Sequence, residues 1–192
     1  MVSHSLNSSG THRICNWWIA YTFDNPLRRL IHNPPKVLGS YVKAGMTVMD
    51  LGCGMGHFSI GMARLVGNTG RVIAVDLQQK MLDVMERRVR RAGLADRILP
   101  HRCQAEDIGI MEPVDFILAF WMVHETPDPA AFFKETAAIL KPSAKLLYAE
   151  PAFHVPEKRY REILTAAGKS GLKISRNLSI RFSRAALLEK MV

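Results

Sequence analysis

Two acids and three closely spaced glycines are the first residues in this 192-residue sequence that could do chemistry. The stretch from Thr47 to Phe58 reads TVMDLGCGMGHF. An apolar run ends in Asp50, and Gly52-Cys53-Gly54-Met55-Gly56 follows. The next apolar run, RVIAVD, ends in Asp76. Glycines let a chain turn sharply and let a ligand reach the backbone where a Cβ would collide. An acid at the end of the following strand can take the hydroxyls of a ribose. A second group of polar residues lies later in the chain: His124, Glu125, Glu150 and His154. The ordinary pKa of histidine is near neutral, so His124 is the leading candidate for a general base, with Glu150 and His154 as further catalytic candidates.

The glycine spacing bears on what would bind. A dinucleotide site wants G-x-G-x-x-G facing a pyrophosphate. Counted from Gly52, the last of those positions is His57. The spacing here is G-x-G-x-G, with an acid two residues before the first glycine. Val48-Met49-Asp50-Leu51-Gly52-Cys53-Gly54-Met55-Gly56 resembles the first motif of the class I S-adenosylmethionine-dependent methyltransferases. The resemblance implies that Asp50, Gly52, Cys53, Gly54 and Gly56 surround S-adenosylmethionine, with Asp50 near its ammonium. It implies Asp76 on the ribose, Leu77 against the adenine and the Gln104-Ala105 turn at the adenine edge. The family often has Asp or Asn where Gln104 stands. Phe120, at the tip of the fourth strand, would complete the cofactor site. His57 either meets the cofactor's carboxylate end or simply starts a helix. The product would be S-adenosylhomocysteine.

The elements that must position these residues follow from periodicity and punctuation. Strands are expected at residues 47–51, 71–76, about 97–103, 114–120 and 144–149, with closing strands at 172–180 and 185–188. Phe58, Met62, Leu65 and Val66 share one helical face, ended by Gly67-Asn68-Thr69-Gly70. A helix over about 78–91 turns Met81, Leu82, Met85 and Val89 inward, with Asp83–Arg87 and Glu86–Arg90 as i, i+4 pairs and Gly93 as its cap. Its Arg87–Arg91 run reads as a solvated face. Asp128-Pro129 starts a helix that Pro142 ends, and a helix from Pro156 to Ala167 is capped by Gly168. Asn33-Pro34-Pro35 reads as a break before a short helix at 36–42. The resemblance implies an α/β fold: a Rossmann-like, doubly wound seven-stranded sheet, mostly parallel, with an antiparallel last strand. It divides the chain into an N-terminal tail with capping helices, residues 1–46, and a class I methyltransferase domain, residues 47–192. The early aromatics Trp17, Trp18, Tyr21 and Phe23 either line the pocket or pack on the sheet.

Composition narrows the classes. The chain is 48% hydrophobic and 22% charged, ordinary for a globular domain. No apolar run reaches spanning length, and the polar N-terminus has no signal-type segment. Three cysteines without a C-x-x-C indicate neither a disulfide frame nor a zinc site, which suits the cytoplasm. No H-E-x-x-H spacing supports a metal, so none is expected. The net charge of +9 sits at the ends: residues 157–192 carry nine cations against three acids. That keeps a nucleic-acid or protein substrate open. The place after the fourth strand, Ala119-Phe120-Trp121-Met122, lacks the D/N-P-P-Y/F of nucleic-acid amino-methyltransferases. D-F-x-L-A-F-x-x-V-H-E-x-P-D is similar to the small-molecule branch, which includes quinone-biosynthesis enzymes. A small-molecule methyltransferase is therefore the expectation, of unspecified oligomeric state. The alternatives are an RNA or protein methyltransferase using the basic ends, or a non-catalytic S-adenosylmethionine-binding protein. A nicotinamide-dependent oxidoreductase is disfavoured by the glycine spacing and the lack of a Tyr-x-x-x-Lys pair.

Overall fold

The computed structural model describes residues 30–191; the expectations for the aromatic stretch at 16–23 and for the tail before it lie outside them. Five strands run parallel: β1 (Thr47–Leu51), β2 (Arg71–Asp76), β3 (Ile98–Arg102), β4 (Val114–Phe120) and β5 (Leu140–Pro151). β6 (Leu172–Ile180) and β7 (Ser183–Lys190) close the sheet, and β7 is antiparallel to both β5 and β6. The order is β3-β2-β1-β4-β5-β7-β6, the seven-stranded arrangement expected.

Side chains alternate across the strands, so consecutive residues serve opposite faces. Met49, Ile117, Leu146 and Leu188 face one core, which is filled from α4 (Pro129–Ile139) by Phe132 and Phe133 and from α5 (Glu157–Lys169) by Tyr160 and Ile163. Val48, Phe116, Leu147 and Leu187 face the other. That core is filled by Phe58 and Met62 of α2 (His57–Val66), by Leu82 and Met85 of α3 (Gln79–Arg91), and by Leu38 of α1 (Pro34–Leu38). Burial on both faces is why the central strands read as continuous apolar runs. The helices after β1 and β2 lie on one face and those after β4 and β5 on the other. The winding therefore reverses between β1 and β4, and a crevice at their carboxyl ends is the natural ligand position of such a sheet.

Local chemistry corrects four expectations. Asn33-Pro34-Pro35 does not break the chain ahead of a helix at 36–42. Asn33 caps α1 by accepting from Lys36 N at 3.2 Å, and the prolines fill the first turn, where a missing N–H costs nothing. Pro142 does not end α4, which stops at Ile139; it lies within β5 instead. Leu140 pairs with Val114 and Lys145 with Phe116, so the residues around Pro142 and the positive-φ Ser143 loop out of an irregular ladder that tolerates proline. Gly168 is inside α5 rather than capping it. The left-handed turn falls at Gly171, with φ +87. Asp83 takes Gln79 Nε2 at 2.9 Å, while the expected Glu86–Arg90 pair is present at 3.2 Å.

Candidate functional site

The glycine loop is held by β2, one neighbour of β1. Cys53 N donates to Val75 O at 2.9 Å, and Gly54 N donates to Asp76 Oδ2 at 2.8 Å. Asp76 Oδ1 takes Gln78 N at 2.9 Å, so this carboxylate ties the loop to the start of α3. Burial pushes the Asp76 pKa up, and the backbone donors of Gln78, Gly54 and Leu77 work against that rise. The two carboxylate oxygens have four acceptor sites between them, so capacity remains for a ligand hydroxyl beside these three donors. A side chain at Gly52 would strike Met122, and one at Gly56 would strike Met85 Cγ at 2.5 Å. A Cβ at Gly54 would meet nothing within 4 Å. Gly52 and Gly56 are thus needed by the protein's own packing, and Gly54 faces open space. That uncovered glycine, beside a buried acid with free acceptor sites, fits a ribose-bearing ligand drawn close to the backbone.

The other expected cofactor residues surround this point at different depths. Asp50 is 2% exposed, and its Oδ2 accepts from Ser59 Oγ of α2 at 2.5 Å, beneath the loop. Cys53 is buried, and that burial, then the charges of Asp76 and Asp50, push its thiol well up. Leu77 is half-buried, and Gln104 and Ala105 are exposed on a turn closed by Gln104 N donating to Asp107 O at 3.0 Å. Phe120 is buried among rings, 4.7 Å from Phe58 and 5.0 Å from His32 between centroids. His57 Nε2 donates to His32 O at 2.8 Å as the first residue of α2. Arg88, expected on a solvated face, donates from Nη1 to Met55 O at 3.2 Å and braces the loop from α3.

The three candidate catalytic residues converge. His124 lies on a short turn, Val123–Glu125, just past β4, and Glu150 is near the end of neighbouring β5. Glu150 is fully buried. Its Oε2 accepts from His124 Nδ1 at 2.6 Å and its Oε1 from His124 N at 2.9 Å. A carboxylate only accepts, so Nδ1 carries the proton and neutral His124 has a free lone pair at Nε2. Burial works to lower the His124 pKa; the hydrogen bond and charge of Glu150, and then Glu125, outweigh it, and the net shift is upward. Nε2 is 3.8 Å from Glu125 Oε1. The ring of His154 lies 5.2 Å from that of His124. The loop carrying His154 is fixed by Arg184 of β7, whose Nη1 donates to Ala152 O at 2.8 Å and Val155 O at 2.9 Å. Sequence reasoning gave Arg184 no role, since a basic residue in a basic tail carries no signal of its own.

Two further features bear on function. Among the described residues, no cluster of three or more His, Cys, Asp or Glu could hold a metal, and no helix is long and apolar enough to cross a membrane. Part of the basic C-terminal charge is paired at the surface. Arg159, Arg161 and Lys173 pair with Glu162, Glu157 and Glu189, and Lys190 donates to Leu140 O at 2.8 Å.

A family model described as a methyltransferase domain matches residues 48–143. A demethylmenaquinone methyltransferase of Lactobacillus johnsonii is 33% identical over 106 residues, covering 55% of this chain and 43% of that one. A ubiquinone/menaquinone biosynthesis C-methyltransferase of Blochmanniella pennsylvanica is 33% identical over 162 residues, covering 82% and 57%. A ubiquinone biosynthesis O-methyltransferase of Xanthomonas euvesicatoria is 33% identical over 138 residues, covering 68% and 54%. The chain spans about half the length of the curated relatives it matches. Among solved structures, a SAM-dependent methyltransferase from Aquifex aeolicus superimposes with a TM-score of 0.81 at 24% identity, covering 91% of this chain and 98% of that one. Fibrillarin of Aeropyrum pernix, solved with natively bound S-adenosyl-L-methionine, gives 0.63 at 20% identity over 77% and 67% of the two chains. At those identities the likeness is one of fold.

Proposed function

Because this chain belongs to the methyltransferase-domain family, we propose that it methylates a small conjugated molecule bearing an ionisable hydroxyl, with His124 as general base. Its cofactor is S-adenosylmethionine, which when bound supplies an electrophilic methyl group. Asp76 would hold the ribose, Gly54 would let the cofactor lie against the loop, and Asp50 would place negative charge beneath its ammonium end. Leu77 and the Gln104-Ala105 turn would border the adenine, and Cys53, Gly52, Gly56 and Phe120 would shape the wall.

The observation that carries the reading is the 2.6 Å contact between His124 and a fully buried Glu150 at the carboxyl edge of β4 and β5. The buried carboxylate fixes the tautomer, so Nε2 takes a proton from the acceptor's hydroxyl while Nδ1 keeps its own. The oxygen, or a ring carbon conjugated with it, then has the electron density to accept a methyl group. His154 would border the acceptor beside His124. The names of the relatives, which include quinone-biosynthesis C- and O-methyltransferases, support acceptors of this kind. We assign residues 47–192 to the catalytic domain and 1–46 to a tail and cap; the buried Leu38 and Val42 support a cap that rests on the domain. A cytoplasmic location goes with this reading.

Calorimetric titration with S-adenosylmethionine, S-adenosylhomocysteine and NAD tests the cofactor site. Micromolar binding of both sulfur compounds and none of NAD is expected. Binding of NAD alone would overturn the assignment.

A further inference from the structure

We propose that Trp121 and Phe153 form a clamp that selects planar rings as acceptors, an inference that rests on the methyl-transfer reading and names residues it does not use. In an extended strand, consecutive side chains point to opposite faces. Phe120 and Trp121 break that rule. Both pack on the same core, with ring centroids 5.4 Å apart and planes 26° from parallel. The break is made by the backbone of Trp121, which has φ +63. A bulky residue seldom adopts that region and holds it only where its surroundings over-determine it.

They do so here. Trp121 N donates to Ala149 O at 2.8 Å, and its indole Nε1 donates to Ser183 Oγ at 2.9 Å. The His32 ring meets the indole edge-on at 4.9 Å, and His32 Nε2 donates to Arg181 O at 2.8 Å. The β4 tip, the β6–β7 hairpin and the segment before α1 therefore meet at one indole. A residue serving only to finish the strand would continue the alternation. This one is turned back to place an aromatic wall at the mouth of the crevice, and it is only half-buried there.

Phe153 supplies the second wall. It stands on the loop after β5, 66% exposed, and meets the indole edge-on at 5.5 Å. Its neighbour His154 touches the ring of His124. Two consecutive residues thus join the aromatic wall to the proposed base. A flat ring lying along Trp121 and Phe153 would turn its hydroxyl toward His124 Nε2. A saturated, puckered ring would lose the face and edge contacts that aromatic pairs make.

The test is equilibrium binding of 1-naphthol, and of its saturated counterpart decahydro-1-naphthol, to the full chain with S-adenosylhomocysteine present. The native chain should bind 1-naphthol the more tightly. Phe153→Ala should weaken 1-naphthol by about two- to tenfold, the scale of one aromatic contact, and leave decahydro-1-naphthol nearly unchanged. Trp121→Met should do the same with a larger effect. Should that variant unfold, Phe153→Ala still decides, because its side chain is mostly outside the core. Failure of the native chain to bind 1-naphthol, or equal weakening of both alcohols, would overturn the clamp. Methyl transfer separates the two claims. If the ring preference behaves as stated while no acceptor is methylated, the clamp stands and the catalytic reading fails. If acceptors are methylated with no ring preference altered in either variant, the clamp fails alone.

Discussion

Replacing Glu150 by Gln keeps the shape of the side chain and removes its charge, which isolates what the buried carboxylate does for His124. In the native chain both Glu150 oxygens are taken by His124, at 2.6 and 2.9 Å. A hydrogen bond to a charged group contributes about 1.5–3 kcal/mol. If that energy holds the productive tautomer and supports the imidazolium formed when Nε2 takes a proton, its loss slows turnover by roughly 10- to 150-fold. The variant should also move in pH. Burial lowers the His124 pKa and Glu150 raises it, with the net result above the ordinary value near 6.5. Without the carboxylate, burial is left opposed only by Glu125, so the pKa falls. The acid limb of the kcat/KM profile should therefore shift to lower pH as the plateau drops. Linkage gives an independent reading. A histidine with a raised folded pKa contributes stability that is fully present below its unfolded value and is lost as pH rises through the folded value. The urea midpoint of the native chain should carry that decline as pH rises from the ordinary histidine value near 6.5 through the raised folded value, and the variant should not. A Glu150→Gln variant with native rate and native pH profile would refute the role of the pair.

Three other outcomes follow from the same structure. Asp76→Ala should weaken S-adenosylmethionine binding by about 1–3 kcal/mol in calorimetry, because it removes the charged acceptor proposed for the ribose and frees Gly54 N; unchanged affinity would sink the ribose assignment. Gly54→Ala should cost only about 1–2 kcal/mol of stability, the backbone strain of a left-handed residue facing open space, yet impair cofactor binding. Gly56→Ala adds a clash with Met85 and should cost about 2–4 kcal/mol, so equal urea midpoints for the two variants would contradict the packing described. Tyr148→Phe should change stability by no more than about 1 kcal/mol, since the buried Tyr148 hydroxyl lies near the Glu150 carboxylate but meets no partner in ordinary hydrogen-bond geometry among the described residues; a larger loss on denaturation would mean that the hydroxyl is firmly bonded to Glu150.

The sequence made the sheet legible because its central strands are apolar on both faces and its glycines and prolines punctuate them. Where punctuation has two meanings, it misled. Asn33-Pro34-Pro35 is a helix start as readily as a break, and only the packing of Leu38 in the core decides between them. Pro142 looked like a stop, but the irregular β4–β5 pairing lets it lie in a strand. The glycine motif located the loop without dividing its labour, since Met122 and Met85, distant in sequence, are what crowd Gly52 and Gly56. His124, Glu150 and His154 could be singled out by type and by position past two strand ends. Their convergence could not, because it depends on β4 and β5 being neighbours in register, with Phe120 opposite Ala149. The left-handed backbone of Trp121 left no trace in composition or periodicity, because such a conformation is enforced by Ser183 and His32 from remote elements.

Base catalysis by His124 is tested most directly by transfer of a labelled methyl group from S-adenosylmethionine to a panel of phenols and reduced quinones, comparing the native chain with His124→Ala. Label should reach a hydroxyl-bearing ring in the native reaction. His124→Ala should lower the rate by about 10²- to 10⁴-fold, the usual contribution of a positioned base, while cofactor affinity is kept. Equal rates for the two proteins, or firm cofactor binding with no label transferred to any of these acceptors, would contradict it.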